Sequence, residues 1–291
     1  MIIQKEPILL SGANGFTGRF VCIELQKQNI PFIALLRPGC NSEWMIKHSI
    51  LFRFGDLCDI KQLTKALTGC RALLNVASIG FGAAPSIVEA CKKADVNRAV
   101  FVSTTAIFTQ LNAKSKFIRK SAEVTISKSD LIWTILRPTM IYGTPDDRNI
   151  IRLLKWLDSY PFLPIFGDGK SLQQPIHVED VAWSLIKVLD YPSTYKRSFN
   201  ISGGTSLTYN DVVKLIANSL NRSICIIHLP SRFFVFILQM FESIGIFFPI
   251  KAEQIKRLNE NKSFSHSEAK KTFGFDPMSF KKGIINEINL Y

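Results

Sequence analysis

Over the first half of the chain, apolar runs just long enough for a strand alternate with segments of helical periodicity, and few folds accept that order. The strand candidates are 8–10, 32–36, 50–52, 72–77, 99–102 and 133–136; the helix candidates between them are 18–28, 60–67, 85–94 and 121–127. The strands are apolar on consecutive residues, so both their faces must be covered. A parallel α/β sheet with helices on each side satisfies this, because each crossover lays a helix on one face.

Beyond Arg137-Pro138 the alternation loosens. Turn-rich stretches at 143–147, 167–170 and 202–206 separate helices predicted at 178–189 and 209–220 and a strand at 224–228. The reading is a doubly wound sheet over residues 1–143, with further sheet elements from about 176–202, and a smaller substrate lobe over 144–291. With 291 residues, 47% of them hydrophobic and 20% charged, there is enough apolar surface to build such a core.

Two function classes are disfavoured at this level. Lys and Arg outnumber Asp and Glu by 36 to 23, a net charge of +13, but the densest basic run (Lys114, Lys116, Arg119, Lys120) is short and poor in aromatics. That is a solvated face or a match for an anionic small molecule, not a nucleic-acid reader. The four histidines (His48, His177, His228, His266) are isolated, so no metal site is expected. Six scattered cysteines without a Cys-x-x-Cys pair suit a reducing compartment, and the first residues look like neither a signal nor a transit peptide, so a cytoplasmic location is expected.

The strongest local motif runs from Ser11 to Arg19, Ser-Gly-Ala-Asn-Gly-Phe-Thr-Gly-Arg, between the first strand and the first helix. Gly12 permits the tight turn, Gly15 lets the backbone approach a pyrophosphate, and Gly18 allows close helix packing. The helix N-terminus then offers its free N–H groups to the anion, so Gly12, Asn14, Gly15, Phe16, Thr17 and Gly18 form the candidate dinucleotide cradle.

With this G-x-x-G-x-x-G spacing the chain resembles the extended and atypical short-chain dehydrogenase/reductases, the branch of nucleotide-sugar epimerases and dehydratases. Further stretches match in order: Gly55–Asp59, Asn75–Ser78, Val102–Thr105, Leu136–Gly143 (which contains Pro138) and Pro175–Val181. The resemblance implies a Rossmann-type fold and an NAD(P)-dependent reaction on a sugar-like substrate. It also implies that Asp56 accepts a hydrogen bond from the adenine amino group, that Leu57 packs beside the base, and that Ala77, Ser78 and Pro138 border the cofactor. The alternative for Asp56 is a helix-initiating turn residue.

The choice of nicotinamide cofactor is read from the end of the second strand. An NAD site needs a carboxylate there for the ribose hydroxyls, an NADP site a cation for the 2′-phosphate. The chain reads Leu35-Leu36-Arg37-Pro38, with no acidic residue until Glu43. NADP is favoured over NAD, with Arg37 as the phosphate partner and Arg19 as a helper.

The catalytic residues depart from the family. Its members use a Ser or Thr, a Tyr and a Lys one helical turn later; Thr105 fits the first role, after Thr104. Anchoring Glu123 to the family's glutamate puts Ser115 in the tyrosine slot and Arg119 in the lysine slot, which removes the usual proton relay. Tyr142 is a candidate replacement acid, or a structural residue packing the lobe junction. A catalytically impaired dinucleotide-binding sensor or scaffold is the alternative function.

The family's diphosphate-gripping arginine is also missing, since that stretch reads Leu172-Gln173-Gln174-Pro175. Arg148 and Asn149 are either a solvated loop or anion contacts, Asp180 is read as a helix cap and His177 as a buried histidine. Residues 232–250 are the most apolar stretch, too short to cross a bilayer once Gly245 and Pro249 interrupt it. They either pack in the small lobe and shape the substrate pocket, or lie on the inner membrane surface and bring the protein to a lipid-linked sugar.

Overall fold

The computed structural model describes residues 6–243, 245 and 251–291. The first 138 residues supply β1 (Ile8–Ser11), β2 (Phe32–Leu36), β3 (Phe52–Phe54), β4 (Ala72–Asn75), β5 (Arg98–Val102) and β6 (Ile132–Pro138). Between them lie α1 (Phe16–Lys27), α2 (Glu43–Lys47), α3 (Ile60–Leu67), α4 (Ala84–Lys93) and α5 (Lys114–Ser127). A seventh strand, Arg197–Ile201, arrives from far along the chain and pairs in parallel with β6.

The sheet order is Arg197–Ile201, β6, β5, β4, β1, β2, β3, and every pairing in it is parallel. Chain direction across the sheet reverses between β1 and β4, and there the helices leave for opposite faces. A crevice opens at that point beyond the carboxyl ends of the strands. Successive strand residues feed different cores, as the unbroken apolar runs require. Leu10, Ala34, Leu74 and Val100 pack in one cluster under α1, while Leu9, Ile33, Leu35, Leu73, Ala99 and Phe101 pack in another under α3, α4 and α5.

Two predicted elements move. The strand placed at 50–52 forms two residues later, because Ile50 N–H still closes onto Met45 O at the end of α2. The helix placed at 121–127 begins at Lys114, about two turns early, through a basic and weakly amphipathic stretch whose period is hard to read.

Past β6 come α6 (Ile150–Ser159), α7 (Val178–Leu189), α8 (Tyr209–Ser219) and α9 (Ser231–Ser243). A third apolar cluster joins Tyr142, Leu154, Ile165, Val212, Ile216 and Ile284. α7 packs along α1 and starts differently from its sequence reading. Its cap is His177, whose Nδ1 accepts the Glu179 N–H at 3.4 Å. Asp180 lies inside the first turn and accepts the Met278 N–H at 2.9 Å. Burial pushes its carboxyl up to about 6 against the pull of that hydrogen bond.

The carboxyl end of α7 is held by a residue the sequence reading passed over. Arg98, 8% exposed, donates from Nη2 to Val188 O at 2.6 Å and from Nε to Leu189 O at 2.8 Å, and stacks over Tyr195. A guanidinium meeting the orphan carbonyls of a helix end is favourable in both charge and hydrogen bonding.

In α9, Leu238 is buried and Phe234 and Val235 pack with it against Phe166 and Ile255. Phe233, Phe236 and Met240 stay exposed, at 58%, 67% and 48%. Positions 244 and 246–250 of the apolar stretch lie outside the described residues. Among the described residues no helix is long and apolar enough to cross a membrane.

Candidate active site and dinucleotide groove

The turn after β1 is tighter than the glycine pattern alone requires. Gly12 sits at φ +73°, and a Cβ there would stand 2.6 Å from the Ala77 nitrogen, so β1 and the residues after β4 touch backbone to backbone. A Cβ on Gly18 would stand 2.0 Å from Gly12 O, which fixes how closely α1 approaches the turn. Gly15 is the open member: its hypothetical Cβ meets only Gly12 O, at 3.3 Å, leaving that side of the turn free for a ligand. Beneath the turn, Ser11 Oγ donates to Asn75 Oδ1 at 2.6 Å and Asn75 Nδ2 to Ala77 O at 2.8 Å, which ties β1 to β4 at the switch point.

This turn forms one wall of a groove of about 910 Å³. Gly12, Asn14, Gly15, Phe16, Thr17, Gly18, Arg37, Asp56, Leu57, Ala77 and Ser78 all line it. At one end Arg37 is exposed and Asp56 Oδ1 accepts the Cys58 N–H at 2.7 Å, which fixes the carboxylate beside Leu57. The fit to a dinucleotide rests on the cradle: two glycines where a Cβ would collide with backbone, and one where only open space would be filled. Arg19 does not act with Arg37; its Nη2 donates to Asn14 Oδ1 at 3.1 Å and its guanidinium lies over Trp44. Pro138 stands back from the groove, buried, with its carbonyl accepting Thr105 Oγ1 at 3.3 Å.

A second cavity, about 560 Å³, adjoins the groove through Arg148 and Asn149, which line both. Thr105, Ser115 and Arg119 line it together, from the turn after β5 and the first half of α5. Arg119 also closes on the groove wall: a Cβ on Gly80 would stand 3.0 Å from its Nε and 3.2 Å from Ser78 Oγ. Burial, and then the charge of Arg257, lower the affinity of the Arg119 guanidinium for its proton.

Tyr142 is not in this cavity, a correction to its reading as a replacement acid. It is fully buried in the third apolar cluster, edge-on to His177, and its hydroxyl makes only a 3.5 Å contact with Phe280 O. Burial raises its pKa further from any working range. The tyrosine that does line the cavity is Tyr209, at the start of α8.

The cavity is rich in cations. Arg119, Arg148, Arg152, Arg257 and Lys262 all line the cavity, with one carboxylate, Glu260. Glu260 is already engaged: Thr109 Oγ1 donates to it at 2.6 Å and the Gln110 N–H at 2.6 Å. Lys262 Nζ reaches only Gln173 Oε1, at 3.5 Å, and burial lowers its pKa despite the opposing pull of Glu260. No motif marks Glu260 or Lys262 in sequence; the contacts of 260–264 with 108–110 and 172–174 place them here. α9, the described helix of the 232–250 stretch, lines neither cavity, so its residues do not shape this pocket.

Behind the shared Arg148-Asn149 segment lies a buried pair of acids. Asp147 Oδ1 accepts the N–H groups of Asn149 at 2.7 Å and Ile151 at 3.2 Å. Glu287, with no exposed surface, faces it, and its carboxyl is pushed up to about 9. Burial is the main cause, followed by the charge of Asp147 and a hydrogen bond shared with it; the Gly143 N–H opposes them.

A family model described as NAD(P)H-binding matches residues 12–192, which takes in the glycine cradle, the groove and five of the strands beyond β1. The chain belongs to the NAD(P)H-binding family. Within it the chain is an atypical, extended short-chain dehydrogenase/reductase relative. A curated relative, NADH dehydrogenase [ubiquinone] 1 alpha subcomplex subunit 9 of Dictyostelium discoideum, is 24% identical over 226 residues, 70% of this chain and 61% of that protein. The chain thus spans somewhat under two thirds of that relative's length. N-acetyl-alpha-D-glucosaminyl-diphospho-ditrans,octacis-undecaprenol 4-epimerase of Escherichia coli O157:H7 is 22% identical over 260 residues, 78% of this chain and 76% of the epimerase. Among solved structures, a UDP-glucose 4-epimerase of Thermotoga maritima superposes with a TM-score of 0.76 at 16% identity, covering 98% of each chain. This last likeness is one of fold.

Proposed function

We propose that the protein is an NAD(P)-dependent epimerase, dehydratase or reductase whose substrate is a sugar-like molecule carrying an anionic link. The observation that carries this is the junction of the two cavities. The cradle-walled groove opens at Arg148 and Asn149 onto a chamber lined by Thr105, Ser115 and five cationic side chains, Arg119 among them, with one carboxylate, Glu260, in the lining. Arg257 is paired with Glu253, its Nη2 donating to Oε1 at 2.7 Å, but no carboxylate is paired with Arg119, Arg148, Arg152 or Lys262 among the contacts of the described residues, and such an excess of cations favours a phosphate-bearing substrate. The undecaprenol diphosphate-linked sugar in the name of the Escherichia coli relative has that chemistry.

In this reading residues 1–143, with strands from about 176–202, hold the dinucleotide, and 144–291 mostly hold the substrate. NADP is preferred over NAD, because Arg37 meets the 2′-phosphate where an NAD site places a carboxylate. When bound, the cofactor supplies hydride exchange at its nicotinamide ring. Thr105 positions the reacting oxygen: its hydroxyl already donates to Pro138 O, so its lone pairs face the cavity and accept a hydrogen bond from a substrate hydroxyl. Ser115 and Arg119 occupy the family's tyrosine and lysine slots; Arg119 holds ribose or substrate oxygens as a fixed cation and moves no proton.

A lipid-linked form of the substrate is favoured by α9. Phe233, Phe236 and Met240 are exposed along one side of the helix, beside Arg232, which suits a peripheral seat on an anionic inner-membrane surface through residues 232–250.

Calorimetric titration with NADP+ and NAD+, followed by nucleotide sugars and a polyprenyl-diphosphate sugar with the nicotinamide absorbance monitored, tests the proposal. Binding of a dinucleotide and a redox change with one of these sugars is the expected result. Bound cofactor whose redox state no sugar in the panel changes even transiently, with every sugar recovered unconverted, would leave a binding protein in place of an enzyme. Flotation with anionic liposomes tests the membrane seat, and protein that stays in the soluble fraction at low and moderate salt removes it.

A further inference from the structure

The six cysteines divide sharply by environment. Cys22, Cys70 and Cys91 are buried, and desolvation pushes the Cys22 and Cys91 thiols up to about 12 and raises that of Cys70. Such thiols are inert near neutral pH. Cys225 is exposed in a short strand that lines neither cavity. Cys40 and Cys58 combine access with position: Cys40 is partly exposed, Cys58 is exposed, and both line the dinucleotide groove.

They reach it from two different loops, after β2 and after β3, at the end marked by Arg37 and Asp56. Cys40 closes a turn with Arg37, its N–H donating to Arg37 O at 3.2 Å. Cys58 N–H donates to Asp56 Oδ1 at 2.7 Å, so the thiol is one residue past the Asp56-Leu57 pair. A group bonded to either sulfur would lie in the space between these loops, and a bulky one would fill it. The exposed Arg37 guanidinium and the net charge of +13 favour the approach of an anionic reagent.

We propose that Cys40 and Cys58 form a thiol-modification site at which a small anionic disulfide of the glutathione class closes the dinucleotide groove. The inference rests on the reading of the groove as an NAD(P) site. In the step, the thiolate sulfur of Cys58 or Cys40 attacks one sulfur of the reagent disulfide. A protein–reagent S–S bond forms, the reagent's own S–S bond breaks, and the other half leaves as a thiol carrying the displaced proton. The cysteine is oxidised and the reagent disulfide reduced by the same electrons. The adduct is reversed by excess dithiol, and bound dinucleotide excludes it by occupying the same space.

The test uses the full chain with Cys225→Ser, so that the exposed thiol outside the groove is silent. The protein is treated with oxidised glutathione, adducts are located by peptide mass, and NADP+ and NAD+ affinities are measured before and after. The adduct is expected at Cys58 or Cys40, to form at least about tenfold more slowly with the preferred dinucleotide at saturation, and to weaken its binding by about tenfold or more until dithiothreitol is added. With Cys40→Ser and Cys58→Ser added, the same treatment should change that protein's affinity less than about twofold. Failure of both thiols to react, reaction unslowed by dinucleotide, or an adduct that leaves affinity unchanged would each overturn the inference while the groove reading stands. If the untreated protein binds neither NADP+ nor NAD+, the groove reading fails and the inference falls with it.

Discussion

Replacing Glu287 by Gln should stabilise the protein, and by an amount that grows with pH. Glu287 is fully buried against Asp147, and its carboxyl is moved from the ordinary 4.5 up to about 9 in the folded chain. An acid with a raised folded pKa binds more protons folded than unfolded. Its contribution to stability is complete below about pH 4.5 and declines until the folded value near 9 is passed. Each unit between is worth about 1.4 kcal/mol, so at pH 7 the wild type has given up about 3 kcal/mol relative to mild acid. Gln keeps the shape and offers an N–H donor to the Asp147 carboxylate, yet has no proton to lose. Glu287 is the informative partner because Asp147 Oδ1 also caps two N–H groups, at Asn149 and Ile151, and changing it would disturb the site loop. Urea denaturation of both proteins at about pH 5.5, 7 and 8.5 reads the effect as a difference, in which the titrations of Asp180 and His177 cancel. The stability gained by Glu287→Gln should rise by about 1.4 kcal/mol per pH unit across that range. A difference that stays flat to within about 0.5 kcal/mol would show that Glu287 ionises freely in the folded chain, and the reasoning from burial would be wrong.

Four further outcomes are expected. Gly15→Val should leave the fold in place, since a Cβ there meets only Gly12 O, and abolish dinucleotide binding in calorimetry by filling the approach to the turn. Arg37→Asp should invert the NADP over NAD preference, costing NADP about 1.5–3 kcal/mol in titration; a wild type that prefers NAD would undo the premise. If turnover is established, Thr105→Val should lower kcat by more than about tenfold and Ser115→Ala by less, and the opposite ranking would misplace the site. Tyr142→Phe should leave turnover intact and cost under about 1 kcal/mol in denaturation, because its hydroxyl has one long contact at 3.5 Å.

What the sequence made legible is what chemistry writes into a short continuous stretch. Strand and helix order, the glycine cradle and the Asp56-Leu57 pair depend on residues within a few positions of one another, and the structure brings them together in one groove. The features that escaped depend on distant pairings. Arg98 finds its acceptors at Val188 and Leu189, Glu287 meets Asp147, and Lys262 reaches the cavity because its N–H pairs with Leu172 O at 2.7 Å. No local pattern distinguishes these residues from solvated charges until the fold is known.

Tyr142 shows how narrow the margin is even within a matched motif. The two-residue strand Ile141–Tyr142 pairs in parallel with Ile176–His177, and side chains along a strand point alternately to opposite sides. Ile141 therefore lines the groove, while Tyr142, one residue on, turns into the apolar cluster against His177 and Gly283. A sequence motif fixes the strand but not which of its two sides the ligand takes, and a shift of one residue exchanges a catalytic candidate for a packing residue. Tyr209 reaches the cavity by the reverse route. It follows the strand Leu207–Thr208, whose antiparallel pairing with Leu172–Gln173 carries the start of α8 to the cavity rim, where the ring joins Arg152, Gln173 and Arg257 in the lining. Nothing in Ser206–Asp211 identifies that tyrosine as a site residue; its place is decided by a strand pairing more than thirty positions away in the chain. If Ser115 stands in the family's tyrosine slot, as the sequence reading has it, hydroxyl groups able to act on substrate must be sought by the side of the strand they occupy, and not by their distance from the motif.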